Sequence, residues 1–231
     1  MSSIATMISA ADRLEACAKI PWHRHREPYI AVIADGCLEE VGEHGRTTLT
    51  AGEFIIHEAF EAHADDAGDA GVEIINLPLP SNFDAASASG AADIEDLLRK
   101  ITQDGADAAA QWLLGSATRT QRRKTDWPDA LAADLSADFA LSIVQWAEQR
   151  GMAPETVSRG FRRAYGITPK SFRAIVRARK AAAALQRTRA PLVQVALEFG
   201  YSDQSHFCRA ITEVTGVSPA RWRRSTGYNS C

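Results

Sequence analysis

The feature that most constrains this chain is a short corner that occurs twice near its C-terminal end, fifty residues apart. "GITPKSFR" occupies residues 166–173, and "GVSPARWR" occupies residues 216–223. In each copy a glycine suits the left-handed conformation that ends a helix, and a hydroxyl residue followed by proline caps the next helix. A hydrophobic residue before the cap and an aromatic residue at the fourth helical position form a hydrophobic staple. The pattern predicts the same sharp helix–helix turn twice.

The similarity between the two copies extends upstream of the corner. "VQWAEQRG" (144–151) and "VQVALEFG" (193–200) each predict an amphipathic helix that ends at glycine. A short turn and a second helix follow in both copies, and Arg159 and Arg209 occupy equivalent places on these second helices. Helix, tight turn and helix is the arrangement whose second helix enters the major groove of DNA. The alternative is an all-helical bundle in which the two halves are alike by accident.

The segment between the two units, residues 169–187, favours one straight helix because alanine runs through its second half. Nineteen helical residues span about 28 Å, which approaches the roughly 34 Å between successive major-groove faces. We therefore expect a stiff connection that holds two recognition helices about one turn of DNA apart. Six apolar residues are expected in the core under either interpretation: Trp146, Val157, Phe161, Leu197, Phe207 and Ile211.

Charge separates the chain into two parts. Residues 1–127 hold 11 basic and 21 acidic residues, a net charge of −10, whereas residues 128–231 hold 15 basic and 8 acidic residues, a net charge of +7. Only the second part is therefore suited to meet a polyanion.

The segments "GFRRAYGITPKSFR" and "ALEFGYSDQSHFCRAITEVTGVSPARWRR" resemble the DNA-binding domain of AraC-family transcription regulators. The resemblance covers residues 128–231 and implies seven helices with two helix-turn-helix units. It also implies which side chains read bases in double-stranded DNA: Glu155, Thr156, Ser158 and Arg159 in the first unit, and Gln204, Ser205, His206, Cys208 and Arg209 in the second. Arginine suits a guanine edge and Gln204 suits adenine.

Six further arginines are expected to contact phosphates, although each could also be an ordinary surface residue. They are Arg162, Arg163, Arg173, Arg177, Arg223 and Arg224. Ser202 is expected to cap the second recognition helix rather than touch a base.

The N-terminal part alternates short apolar runs with turn sequences. "YIAVIA", "RTTLTA", "EFIIHEA" and "GVEIINLPL" are separated by "ADG", "GEHG" and "DDAGDAG". This spacing predicts an antiparallel β-sandwich or small barrel. The fold class expected for the whole chain is thus α+β and multidomain, with a small β-barrel, a helical hairpin and an all-α domain.

Residues 93–115 show helical spacing on both sides of Asp104–Gly105, which predicts a helical hairpin. Its apolar face could dock on the β domain or pair with a second copy in a homodimer. Residues 81–93 and 118–128 are expected to be linkers from their composition. The expected domains are 1–84, a sensor; 85–127, the hairpin and linker; and 128–231, the DNA-binding domain.

Five of the six histidines lie between residues 23 and 63. His23 and His25 lie two apart and so on one face of a strand. Together with the distant His63 they resemble the metal ligands of cupin barrels, the domain that commonly precedes an AraC-type domain as its sensor. The glutamate of that pattern is absent. The resemblance therefore implies an effector site at these histidines, with a possible divalent metal.

Two functions of different class are consistent with these patterns. The first is a cytoplasmic, DNA-binding transcription regulator, not an enzyme, that is controlled by a small-molecule effector in the N-terminal domain. The second is a metal-dependent cupin enzyme using His23, His25 and His63, with an appended DNA-binding module. Thiol sensing through Cys17 or Cys37 is a weaker third possibility, because no activating neighbour is evident. The sequence contains no apolar run of eighteen residues, so no membrane partner is expected.

Overall fold

The computed structural model describes residues 11–80, 89–116, 118–119 and 126–225. The chain divides into two compact units, residues 1–124 and residues 125–231, and each is described by itself. Within the described ranges, no helix combines the length and the apolar character needed to cross a membrane.

The first unit contains one antiparallel sheet. Its described strands are β1 (Ala11–Leu14), β2 (Lys19–Arg24), β3 (Tyr29–Gly42), β4 (Gly45–Thr50), β5 (Glu53–His57), β6 (Ala62–Pro78), β7 (Ser89–Ala91) and β8 (Thr118–Arg119). The strands follow the order β1-β6-β3-β5-β7-β8, while β2 also pairs with β6 and β4 pairs with β3. The expected antiparallel β domain is therefore confirmed.

The two longest strands, β3 and β6, run through segments that the sequence predicted to be turns. "ADG" (34–36) and "DDAGDAG" (65–71) lie inside strands that pair with each other, with register shifts at residues 33–35 and 36–38. Gly36 and Gly71 both have positive φ, and a Cβ on Gly36 would overlap the carbonyl oxygen of Gly71. The glycines thus serve bulges rather than chain reversals, and that prediction was wrong.

Residues of β3 contribute to two different hydrophobic cores, because side chains along a strand point alternately to the two faces of the sheet. Ile30, Val32 and Ala34 belong to a core that the hairpin helices also join, whereas Ile33 and Leu38 belong to a second core.

The predicted helical hairpin is present as α1 (Ile94–Asp104) and α2 (Ala106–Ser116). The Asp93 side chain accepts a hydrogen bond from the Asp96 backbone N–H at 3.0 Å and caps α1. Leu97 and Leu113 are fully buried in the same core as Ile30 and Val32. The apolar face of the hairpin therefore docks on the sheet of its own unit.

Parts of both predicted linkers are strands instead. Residues 89–91 form β7, which pairs with β5, and residues 118–119 form β8, which pairs with β7. The small residues "SGA" carry no strand preference of their own, so pairing with β5 decides their conformation. Trp127 and Pro128, the last two residues of the second predicted linker, begin the first helix of the C-terminal unit instead. The predicted linker residues 81–88 and 120–125 lie outside the described residues.

The second unit is helical, and the seven helices implied by the resemblance are found. They are α3 (Trp127–Ala137), α4 (Ile143–Glu148), α5 (Pro154–Tyr165), α6 (Pro169–Arg187), α7 (Leu192–Glu198), α8 (Gln204–Thr215) and α9 (Pro219–Ser225). The long helix α6 contacts α3, α5, α7, α8 and α9.

The glycine of the repeated corner has the predicted left-handed conformation in both copies, and the hydroxyl cap is present in the first copy. Gly166 ends α5 with φ of 71° and Gly216 ends α8 with φ of 75°, both left-handed. Thr168 caps α6 by accepting a hydrogen bond from the Ser171 N–H at 3.1 Å. Of the six expected core residues, only Leu197 is misassigned: it is 65% exposed, because the short helix α7 buries Val195 and Ala196 instead.

Candidate nucleic-acid interface and histidine cavity

The first recognition helix, α5, turns one face to the protein and the opposite face to solvent. Val157, Phe161 and Tyr165 are buried at spacings of four residues. All four residues predicted to read bases from this helix are exposed: Glu155, Thr156, Ser158 and Arg159. They share the side of α5 that the core does not use.

The second recognition helix, α8, has the same division. Phe207, Ile211 and Val214 are buried. Gln204, Ser205, His206 and Arg209 are exposed, whereas Cys208 is half-buried.

The cap of α8 differs from expectation. Asp203, not Ser202, caps the helix, and its carboxylate accepts a hydrogen bond from the His206 N–H at 2.7 Å. This bond is the largest cause of the lowered pKa of Asp203.

The six arginines predicted to contact phosphates lie in different surroundings. Arg162, Arg163 and Arg224 are exposed, and Arg223 is half-buried. Arg173 donates to the Leu141 carbonyl at 2.8 Å. Arg177 donates to the Gly200 carbonyl at 3.3 Å and covers the ring of Tyr201 at 4.1 Å. Arg173 thus links α6 to the segment just before α4, and Arg177 links α6 to the turn between α7 and α8.

The connection between the two units is the unbroken 19-residue helix α6. Its buried residues include Phe172, Val176, Ala181 and Leu185, so its core-facing stripe runs along nearly the whole length. A continuous helix packed in this way resists bending better than a loop would.

The three histidines that resemble metal ligands come together in the first unit. His23 on β2 lies directly opposite His63 on β6. The Nε2 atoms of His23 and His25 are 3.1 Å apart, and one donor atom from each histidine lies within 4.8 Å of the others. We call the space beside them, about 230 Å³, the histidine cavity; it is also lined by Tyr29 and His57.

An acidic residue that the sequence interpretation missed lies beside two of these histidines. An Asp65 carboxylate oxygen lies 3.8 Å from His23 Nε2 and 3.9 Å from His63 Nε2. The expected glutamate was sought shortly after His25, whereas Asp65 follows His63 by two residues on the same strand. The signal was present in the sequence as "HAD" (63–65), because residues two apart on a strand share a face.

The surroundings of the histidine cavity shift the pKa values of several side chains that line it. Burial lowers the pKa of His63 to about 3, against the opposing effect of Glu40. Burial and the Glu40 carboxylate raise the pKa of Asp65 to about 7. Burial also raises the pKa of Tyr29, whose hydroxyl lies 3.2 Å from His63 Nε2. His63 is therefore neutral at pH 7, the state in which imidazole binds a metal.

His57 is buried and also lines the cavity. Its Nε2 lies 3.2 Å from Glu40. Burial opposes the charged form, but Glu40 and Glu61 outweigh it and raise the pKa of His57 to about 9. His44 is partly covered, and its Nε2 lies 3.5 Å from a carboxylate oxygen of Glu61.

The family-model match lies within the second unit. Residues 146–225 match a family model described as a helix-turn-helix domain. The arabinose operon regulatory protein of Salmonella typhimurium is 33% identical over 91 residues, which are 39% of this chain and 32% of that protein. The transcriptional activator RhaR of Klebsiella pneumoniae is 30% identical over 95 residues, 41% of this chain and 33% of that protein.

The match spans about a third of the length of these curated relatives. Among solved structures, the C-terminal domain of AraT, a response regulator from Geobacillus stearothermophilus, is 26% identical. It covers 46% of this chain and 93% of its own, with a TM-score of 0.41.

Proposed function

We propose that this chain, whose C-terminal half is an AraC-type helix-turn-helix domain, is a DNA-binding transcription regulator controlled from its N-terminal domain. The observation that carries the proposal is the repeated unit itself. Two helix-turn-helix units flank one continuous helix, and each presents an exposed polar face on its second helix. The net charge of +7 over residues 128–231 suits a DNA partner.

In this proposal α5 and α8 enter neighbouring major grooves, and their exposed residues read base edges. Arg159 and Arg209 supply guanidinium groups that can each bind guanine through two hydrogen bonds, and Gln204 suits adenine. Cys208, which is half-buried, contributes less than its exposed neighbours.

The arginines divide by their internal contacts. Arg162, Arg163 and Arg224 are exposed and serve as phosphate contacts. Arg173 and Arg177 each donate one guanidinium N–H inside the protein, and the Nε of Arg177 is also buried. Only their remaining N–H groups serve a phosphate.

The histidine cavity is the proposed effector site. Its volume of about 230 Å³ suits a small molecule or a hydrated ion. Three imidazoles and the Asp65 carboxylate form a donor set of the kind that holds a divalent transition metal. The Nδ1 atom of His63 is buried and, among the described residues, has no hydrogen-bond partner.

A bound metal would supply a Lewis-acidic centre, and His23, His25, His63 and Asp65 would hold it. The Tyr29 hydroxyl lies 3.2 Å from His63 Nε2 and orients that ring while no metal is bound to this nitrogen. The same donor cluster also favours the second candidate function, a metal-dependent enzyme. The two candidates differ in whether metal binding changes DNA affinity or supports turnover.

Selection of binding sites from random double-stranded DNA tests the regulator directly. The purified full chain is expected to enrich one sequence with two conserved segments about one helical turn apart. Enrichment of no sequence would refute the proposed function.

Titration with zinc, nickel and iron(II) tests the cavity. We expect one ion per chain, and Asp65→Asn is expected to weaken its binding at least tenfold. His44→Ala is the matched control, because His44 lies outside the donor cluster. Binding of no metal would refute the metal assignment, whereas oxygen-dependent turnover by the loaded protein would favour the enzyme.

A further inference from the structure

The first helix of the C-terminal unit lies directly against the first recognition helix. Gly160 is in the interior of α5, where glycine costs about 1 kcal/mol relative to alanine. A Cβ at this position would lie 2.5 Å from Cζ2 and 2.7 Å from Cη2 of Trp127. The indole of Trp127, at the start of α3, therefore rests on the bare backbone of α5.

A second contact joins the same two helices further along. The Tyr165 hydroxyl at the end of α5 donates a hydrogen bond of 2.7 Å to Asp129 on α3. Both residues are buried, and Tyr165 stacks on Phe161 at 4.3 Å between ring centroids. The two contacts together fix α5 at two points along its length, which restrains its rotation about its own axis.

Helix α3 also holds the first helix of the same helix-turn-helix unit. Trp146 on α4 donates from Nε1 to Asp134 on α3 at 2.7 Å, and the Trp127 and Trp146 rings are 6.3 Å apart. The Arg150 guanidinium covers the Trp146 ring at 3.8 Å and lies 3.5 Å from Asp134. One helix thus contacts both members of the unit.

The second unit has a different residue at the place equivalent to Gly160. Fifty residues later the chain has Ala210, which carries the Cβ that Gly160 lacks. The close approach of an indole to the recognition helix is therefore built into α5 by a glycine that α8 does not share. A requirement for close packing explains a helix-interior glycine that propensity alone would disfavour.

We propose that Trp127 and Gly160 are a matched pair that sets the position of the first recognition helix, so that Trp127 is a positioning residue for DNA reading. This inference rests on the proposed function, because it assumes that α5 reads bases. Trp127 acts through α5 and touches no DNA itself. Its loss shifts the exposed face of α5 relative to the second recognition helix, and sequence reading by α5 is impaired.

The test uses the full chain and the DNA sequence enriched by the wild-type protein. Gly160→Ala is expected to weaken affinity for that sequence roughly tenfold, because an added methyl group in a packed contact forces its neighbours apart. Trp127→Phe, which removes ring atoms without creating a clash, is expected to have a smaller effect in the same direction. Gly115→Ala is the matched control, since a Cβ there would meet nothing within 4 Å.

The decisive measurement is base preference at each position of the site. A positioning role predicts that Gly160→Ala loses discrimination in the segment read by α5 and keeps it in the segment read by α8. Combining Gly160→Ala with Trp127→Leu is expected to restore part of the lost discrimination, because the smaller side chain makes room for the methyl group.

An equal loss for all DNA sequences, or unchanged preference in every variant, would overturn the inference while leaving the proposed function intact. Thermal unfolding identifies a variant that fails to fold, and Trp127→Phe then decides the matter alone. If the wild-type chain itself selects no sequence, the proposed function fails first.

Discussion

The substitution Leu113→Ala tests whether the apolar face of the helical hairpin packs on the sheet of its own unit. Leu113 on α2 is fully buried in a core with Ile30, Val32 and Leu97. The substitution removes three carbon atoms from this core and leaves a cavity, for which a loss of about 3 kcal/mol in the free energy of unfolding is typical.

The size of the N-terminal unit sets its unfolding entropy, which converts this loss of unfolding free energy into a decrease in melting temperature. A unit of 124 residues has an unfolding entropy near 0.26 kcal/mol/K, so 3 kcal/mol corresponds to about 12 °C. Differential scanning calorimetry of the full chain measures this shift. Leu197→Ala is the matched control, because Leu197 is 65% exposed and lies in the other unit. Its expected effect is below about 0.5 kcal/mol.

Concentration dependence separates docking on the sheet from pairing with a second copy. If the hairpin face were a subunit interface, the shift would grow with protein concentration, and sedimentation would show the variant dissociating. A shift below 2 °C, or one that follows protein concentration, would refute the packing described for α1 and α2.

Three further predictions concern the C-terminal unit. Arg209→Ala is expected to abolish base preference at the positions read by α8 and to lower the affinity for the selected sequence by roughly tenfold or more. Arg177→Ala is expected to weaken binding to all sequences alike. Fluorescence anisotropy with selected and scrambled duplexes compares them, and the reverse pattern would contradict the assignment. Asp203→Ala removes the cap of α8 and is expected to cost about 1 kcal/mol in urea unfolding; no change would show that the bond to the His206 N–H is unimportant. Gly166→Ala places a side chain at φ of 71° and is expected to cost about 1–2 kcal/mol, and unchanged stability would contradict the left-handed corner.

The helix–helix turns of the C-terminal unit could be predicted from sequence because their signals are local. A left-handed glycine, a hydroxyl cap and a following proline act within a few residues, and each of them has its expected role at Gly166 and Thr168. Leu197 was misassigned although the repeat aligns it with the exposed Glu148. Val195, which aligns with the buried Trp146, holds the core position instead.

The sheet was harder because its decisive contacts are distant in sequence. The segments that contain Gly36 and Gly71 have the composition of turns. Only the pairing of β3 with β6 shows that these glycines lie in bulges. Asp65 was missed for a related reason: its partners His23 and His63 are brought together by strand register rather than by spacing along one segment. The histidines themselves could be found from the spacing of His23 and His25. The expectation that both lie on one strand face was wrong for His25, which lies just beyond the end of β2.

The central helix α6 has a consequence for the cooperativity of the C-terminal unit. It contacts five other helices and carries Phe172 near one end and Leu185 near the other, both fully buried. The core around each helix-turn-helix unit includes residues of α6, so neither core is complete without this helix. Opening one half would strip α6 of its neighbours and weaken the other, so the two halves should melt in a single transition and share one hydrogen-exchange protection level.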